Sequence, residues 1–251
     1  MNLSQVVRAL PALALLLPAG CSKSAHAPAA TYTQIDEATG ATLTGTIHYA
    51  GKPPAQPVEI DMAQDPACSL SGANMSEQYV LHGGAMANVF VSIKDGLGNK
   101  TYAVTRTPVR IDQKGCRFLP HVSGAMVGQQ VEFTNSDPTM HNVHMMPAAS
   151  GNDSFDVSQG PNSGPDRRQF HAPELMIPLR CNNHPWMQAY VNVVSNPFFA
   201  VSDAQGHYTI RGLPPGTYTV VADQEQLGQQ SATITVAARQ SAAQDFTYTA
   251  H

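Results

Sequence analysis

The sequence contains few charged residues and no excess of basic ones. Asp, Glu, Lys and Arg make up only 13% of its 251 residues, and the formal net charge is −4. Proteins that bind nucleic acid present a basic patch or stripe to the phosphates, and this sequence offers no such cluster. We therefore expect no nucleic acid among its partners.

Sequence signatures of common enzyme classes are also missing. The sequence has no His-Glu-x-x-His zinc motif, no Gly-x-Ser-x-Gly nucleophile elbow and no glycine-rich loop of the kind that cradles phosphate. No segment shows a convincing helical period over more than a turn or two. We predict that the protein is not an enzyme and that it is built from strands.

A long apolar run occurs only at the N-terminus. Residues 1–20 combine Arg8, an apolar stretch and small residues, as secretory signal peptides do. Leu17-Pro18-Ala19-Gly20-Cys21 resembles a bacterial lipobox, which predicts lipidation of Cys21, although Ala25-His26-Ala27 is a rival cleavage site. Residues 21–40 would form a lipidated tether. We expect a periplasmic protein anchored to the membrane by lipid, or a secreted one if Cys21 is not acylated.

The sequence has only four cysteines, and export favours a disulfide among them. If Cys21 carries lipid, then Cys68, Cys116 and Cys181 remain, and three single-disulfide pairings are open. We predict the pair Cys68–Cys116, because potential metal ligands follow Cys181 at short spacing. The sequence alone does not exclude a pairing that uses Cys181.

Several segments alternate apolar and polar residues, which is the period of a half-buried strand. Turn residues such as Gly, Pro, Asn and Asp separate these segments. The pattern predicts an all-β fold. The segments are 43–47, 89–93, 109–111, 131–133 and 189–194.

Two short stretches carry side chains that copper prefers. The spacing Cys181-x2-His184-x2-Met187 supplies a thiolate, an imidazole and a thioether in one loop, and His141 lies at the start of an upstream strand pattern. Two imidazoles, one thiolate and a weak axial thioether form the ligand set of a mononuclear blue-copper site. A dinuclear copper centre would need a second cysteine in the loop, and the loop has none.

The Cys-x2-His-Pro-aromatic-Met loop and the Met140-His141-Asn142-Val143-His144 stretch resemble the cupredoxins, most closely the amicyanin type. The resemblance implies a cupredoxin Greek-key β-sandwich that binds one type 1 copper ion. Carried over by motif position, the copper ligands are His141, Cys181, His184 and Met187. The resemblance also implies that Asn142 ties the two ligand segments together.

Some neighbours of these residues have alternative roles. His144 could replace His141 as a ligand, but residues three apart on a strand point to opposite faces, so we prefer His141. We expect Pro185 and Trp186 to form an apolar collar around an exposed edge of His184. Three methionines are expected to fill apolar gaps rather than to relay Cu(I). These are Met140, Met145 and Met146.

The C-terminal part contains turn motifs of a different kind. Its Asp203-x-x-Gly206-x-Tyr208 turn and Leu213-Pro214-Pro215-Gly216-x-Tyr218 hairpin resemble the carboxypeptidase regulatory-like domains. The resemblance implies a smaller immunoglobulin- or transthyretin-like β-sandwich at 197–251, after a cupredoxin-like copper domain at 41–196. The family's opening strand has its counterpart in the strand at 41–50. This leaves open that the strand at 41–50 belongs to the second sandwich and that the copper domain is inserted in it.

Together, these resemblances predict a function in electron transfer. We expect a type 1 copper protein that carries single electrons between redox partners such as a cytochrome or a dehydrogenase. A copper-binding carrier or storage protein is one alternative. A purely structural β-sandwich lipoprotein is another.

Overall fold

Strands form almost all of the regular structure. The computed structural model describes residues 31–52 and 58–249, and within them it contains one helix, α1 (Pro66–Ser69), and nineteen strands. The predicted all-β fold class is confirmed. The strands are β1 (Ala41–Ala50), β2 (Leu81–His82), β3 (Ala85–Met86), β4 (Phe90–Asp95), β5 (Val109–Gln113), β6 (Phe118–Leu119), β7 (Val122–Met126), β8 (Gln130–Asn135), β9 (His141–Met145), β10 (Phe155–Gln159), β11 (Asp166–Gln169), β12 (Glu174–Arg180), β13 (Gln188–Val194), β14 (Phe199–Val201), β15 (His207–Leu213), β16 (Gly216–Gln224), β17 (Gly228–Val236), β18 (Ser241–Ala243) and β19 (Phe246–Thr249).

The N-terminal predictions fall largely on residues that the structure does not describe. The predicted signal peptide at 1–20, Cys21 and the tether up to residue 30 lie outside the described residues. The tether was predicted to extend to residue 40, but residues in its last part form hydrogen bonds with the folded unit. The Thr33 N–H donates to the Thr101 carbonyl at 2.7 Å, and the Arg239 N–H donates to the Thr39 carbonyl at 3.0 Å. Composition does not reveal such backbone pairing, so the predicted tether is too long.

Within residues 31–52 and 58–249, no helix has the length and apolarity that crossing a bilayer requires.

Strands β5–β13 form what we call the site sandwich. One of its sheets has the order β10-β9-β12-β13-β7 and the other has the order β11-β8-β5-β6. Apolar residues of both sheets share one buried core, including Ile111, Phe133, Val143 and Val191. Most neighbouring strands are antiparallel, but β13 pairs with β7 and β5 pairs with β8 in parallel.

Strands β1–β4 and β14–β19 form what we call the C-terminal sandwich. One sheet has the order β15-β1-β3-β2, with β18 and β19 also paired to β1, and the other has the order β14-β4-β16-β17. Residues before and after the site sandwich therefore share one core, including Leu43, Val91, Val220 and Tyr248. β1 pairs with a strand that follows residue 197, which agrees with the alternative left open for the strand at 41–50, and β4 does so as well. An alternating pattern identifies a strand but not its partner.

The two sandwiches meet at a small apolar cluster. Phe90 of β4 and Phe199 of β14 lie against β7 and β13, and the two phenyl rings are 5.5 Å apart between centroids. Gly124 of β7 allows this close approach. A Cβ atom at Gly124 would lie 2.6 Å from the Phe90 ring and 2.7 Å from the Phe199 ring.

We predict that Gly124→Ala destabilises the protein. The added methyl group overlaps two packed rings, and overpacking of this kind typically costs about 1–3 kcal/mol. Chemical denaturation of the apo protein measures the effect. Gly164→Ala is the matched control, because a Cβ there meets no atom within 4 Å. Equal stability of the two variants would contradict the packing argument.

Candidate metal centre

The loop between β12 and β13 presents three of the predicted ligands. Arg180 pairs with Gln188 at the end of this antiparallel hairpin, so the residues between them must turn back within a short loop. The Cys181 N–H donates to the Met187 carbonyl at 3.2 Å, and the Met187 N–H donates to the His184 carbonyl at 2.8 Å. The three side chains are buried, with exposed fractions of 3% for Cys181 and His184 and 1% for Met187.

The fourth predicted ligand begins strand β9. His141 is fully buried, and β9 pairs with β12 through Met145 and Leu179. This pairing places the start of β9 beside the Cys181 loop. The turn before β9 is held by Asn135, whose Nδ2 donates to the Thr139 carbonyl at 2.9 Å. The two ligand segments are therefore positioned by the same sheet.

Three of the predicted ligand atoms converge. The Nδ1 atoms of His141 and His184 lie 2.9 Å apart, and Cys181 Sγ lies 3.5 Å from His184 Nδ1. All three atoms lie within 4.8 Å of one another. Cys181 is a free thiol. Met187 packs in the same buried core as Cys181, at the end of the loop.

Asn142 connects the two ligand segments through its backbone. Its N–H donates to Cys181 Sγ at 3.3 Å. Its side chain points to the neighbouring strand, where Nδ2 donates to Asp156 Oδ1 at 3.2 Å and to Ser158 Oγ at 3.1 Å. His144 lies on the other face of β9, and its Nδ1 is 2.9 Å from Asn182 Oδ1.

The Nε2 atoms of His141 and His184 both form hydrogen bonds with carboxylates. His141 Nε2 lies 2.9 Å from Asp137 Oδ2, and His184 Nε2 lies 3.0 Å from Asp65 Oδ2. An ionised carboxylate can only accept a hydrogen bond, so in a neutral ring Nε2 carries the proton. Both Nδ1 atoms then have lone pairs that face each other at 2.9 Å. Such a pair needs a proton or a cation between its members, so the donor set fits a metal ion.

The pKa values of His141 and Asp65 are both lowered from their ordinary values. Burial lowers the pKa of His141, and the hydrogen bond to Asp137 opposes this shift. Mainly because of its hydrogen bond to His184, the pKa of Asp65 falls to about 2. Asp65 is therefore ionised at neutral pH.

The structure contains the Cys68–Cys116 disulfide, and it lies beside the candidate metal centre. The Cys116 N–H donates to Asp137 Oδ2 at 2.8 Å, and the Cys68 N–H donates to Asp65 Oδ1 at 3.3 Å. Each half-cystine thus donates a hydrogen bond to one of the two carboxylates that contact the imidazoles. The predicted pairing of Cys68 with Cys116 is the one that forms.

The expected collar around an exposed edge of His184 is not found. His184 is only 3% exposed, because Asp65 covers its outer nitrogen. Trp186 is half-buried, with its ring centroid 5.1 Å from that of His184, and its Nε1 donates to the Cys116 carbonyl at 3.2 Å. Pro185 is exposed on the same loop. The error arose because a sequence motif does not show which distant segment covers a side chain.

Sequence reasoning did not identify Asp65 or Asp137 as members of the site. Asp137 lies four residues before His141, so its nearness could have been suspected from the β8–β9 turn. Asp65 is separated from His184 by 119 residues. Its only local signal is the Asp-Pro pair, which predicts a helix N-cap rather than a bond to a ligand.

The predicted methionine positions differ in exposure. Met145 is fully buried, as expected of a packing residue, whereas Met140 is half-exposed. A surface cavity of ≈ 350 Å³ next to Met140 is also lined by His184 and Asp65.

A family described as carboxypeptidase regulatory-like domain matches residues 181–249, so the match begins before the predicted boundary at 197. No curated protein sequence matches the chain.

The solved structures that are similar to this chain include copper proteins. A copper-containing nitrite reductase from Thermus scotoductus SA-01 is 23% identical with a TM-score of 0.33, over 41% of this chain and 26% of its own. A reduced amicyanin variant is 20% identical with a TM-score of 0.32, over 36% of this chain and 85% of its own. A purple cupredoxin from Nitrosopumilus maritimus is 18% identical with a TM-score of 0.29, over 34% of this chain and 98% of its own. The chain thus spans only 26% of the length of the nitrite reductase, and its C-terminal part is similar to carboxypeptidase regulatory-like domains.

Proposed function

We propose that this chain is a periplasmic type 1 copper protein that carries single electrons between redox partners. One observation carries the proposal. Two imidazole Nδ1 atoms and a free cysteine Sγ converge in a buried site, and both outer ring nitrogens are fixed by carboxylates. Imidazole and thiolate donors in this combination, with a thioether nearby, are typical of blue-copper sites.

Each side chain has a defined role in this proposal. Bound copper would supply a one-electron couple. His141 and His184 would hold it through Nδ1, Cys181 would hold it as a thiolate that accepts the Asn142 N–H, and Met187 would add a weak thioether contact. The hairpin and β9 hold these groups in a buried core that excludes water. A rigid site of this kind needs little rearrangement when its charge changes.

The location and the partners belong to the same proposal. A Cys68–Cys116 disulfide suits an oxidising compartment such as the periplasm. The signal peptide and Cys21 would then deliver and anchor the protein, with a cytochrome or a dehydrogenase as the redox partner. Release of the protein from the membrane fraction by Cys21→Ala would support the lipid anchor.

A copper carrier is the second candidate. The observation that favours it is the half-exposed Met140 beside the cavity at His184, since an accessible thioether could pass Cu(I) to or from the site. Rapid loss of Cu(I) to an acceptor protein, without electron exchange, would favour the carrier over the electron-transfer protein.

We predict that Cys181→Ser removes the intense visible absorption of the Cu(II) protein. That absorption requires a thiolate bound to copper, and serine provides none. Absorption spectroscopy after copper addition measures the change. If the wild-type protein were colourless with Cu(II) yet bound zinc tightly, the electron-transfer proposal would be wrong.

We predict that His141→Ala and His144→Ala have opposite outcomes. His141 faces Cys181 and His184 and should be needed for tight copper binding, whereas His144 contacts Asn182 on the other face of β9. Competition with a chelator measures the copper affinity of each variant. A large loss of affinity in His144→Ala, with little change in His141→Ala, would reverse the ligand assignment.

We predict that Met187→Leu retains copper and changes its reduction potential. A weak axial thioether adds little binding energy but adjusts the electron density at the metal. Chelator competition and voltammetry measure the two properties. Loss of copper from Met187→Leu as complete as that from Cys181→Ser would contradict the axial role.

A further inference from the structure

The carboxylate of Asp65 comes from outside the site sandwich. Asp65 is the N-cap of α1, in the segment between β1 and β2, and its Oδ1 accepts the N–H groups of Ala67 at 2.7 Å and Cys68 at 3.3 Å. Its Oδ2 accepts the Thr139 hydroxyl at 3.0 Å and lies 3.0 Å from His184 Nε2. One carboxylate oxygen thus caps the helix, and the other contacts the candidate metal centre.

This segment is fixed against the site. The buried disulfide joins Cys68 of α1 to Cys116, which follows β5. The Cys116 carbonyl accepts Trp186 Nε1 at 3.2 Å and Asn74 Nδ2 at 3.4 Å. Asp65 is therefore attached to the ligand loop by a route that does not pass through His184.

The bond from His184 to Asp65 has two physical consequences. A carboxylate that accepts the Nε2 proton selects the tautomer whose Nδ1 lone pair faces Cys181 and His141. It also places a negative charge one ring away from the metal position, and Asp137 does the same behind His141. Negative charge in a poorly solvated region favours the more positive oxidation state of a nearby metal.

We infer that Asp65 is a positioning residue for His184, which fixes the ring tautomer, covers its outer nitrogen and lowers the reduction potential of the site. The inference rests on the proposed copper function. It assigns a role to a segment that neither the ligand motif nor the family match includes.

The test compares Asp65→Ser with Asp61→Ser. Serine retains an oxygen that can cap α1, but its side chain is too short to also reach His184. Asp61 is an exposed residue of the same segment, and among the described residues it accepts only the Ala63 N–H at 2.9 Å, so Asp61→Ser is the matched control. Three properties are measured: copper affinity by chelator competition, reduction potential by voltammetry, and the ¹⁵N spectrum of the imidazoles in the apo protein.

In Asp65→Ser we expect copper affinity to fall about 10- to 100-fold, as is typical when a partner of a ligating histidine is lost. We also expect a higher reduction potential and a changed ¹⁵N pattern for His184. Asp61→Ser should match the wild type in all three. Unchanged affinity, potential and tautomer in Asp65→Ser would overturn the inference.

Two further outcomes are distinguishable. If the wild-type protein gives no thiolate-to-copper absorption, then the proposed function fails, while the apo ¹⁵N spectra still decide whether Asp65 sets the tautomer. If Asp65→Ser does not fold, Asp65→Asn takes its place, because it keeps the size and removes the charge. A reduction potential for Asp65→Asn at or below that of the wild type would then contradict the inference.

Discussion

The candidate metal centre depends on two hydrogen bonds, each of which joins an imidazole Nε2 to a carboxylate. Asp137 and Asp65 accept hydrogen bonds from these nitrogens and so direct two unprotonated Nδ1 atoms toward each other in a buried region. The Nδ1 atoms of His141 and His184 lie 2.9 Å apart, and lone pairs that face each other at this distance repel unless a proton or a cation lies between them. The burial of the ligands, the disulfide and the α1 segment all help to maintain this arrangement.

The ligand loop could be predicted from the sequence because its information is local. The spacing of Cys181, His184 and Met187 fits a turn between two strands, and the structure places that turn between β12 and β13. Asp65 could not be predicted, since its bond to His184 joins residues 119 positions apart and depends on how α1 packs. A helix-capping residue that also binds a candidate metal ligand has no signature beyond the cap itself.

The fold shows the same division between local and distant information. Alternation predicted the strands at 43–47 and 131–133 correctly, as parts of β1 and β8, because burial of one face has a period of two. The resemblance left open that β1 belongs to the second sandwich, but the pairing of β4 with strands that follow residue 197 required tertiary information. Turn motifs in a sequence report local structure, whereas the core of a β-sandwich is formed by segments that can lie far apart in the sequence.

The pairing of β1 has a consequence for the order in which the chain can fold. β1 is the first strand of the described fold, yet it pairs with β15, β18 and β19, and the Thr46 N–H donates to Asp245 Oδ1, 199 residues away. All strands of the site sandwich lie between these partners. If the chain crosses a membrane from its N-terminus, all strands of the site sandwich emerge before β15, β18 and β19, the strands with which β1 pairs. Contacts this distant in sequence form slowly, so closure of the C-terminal sandwich is expected to be the late step of folding.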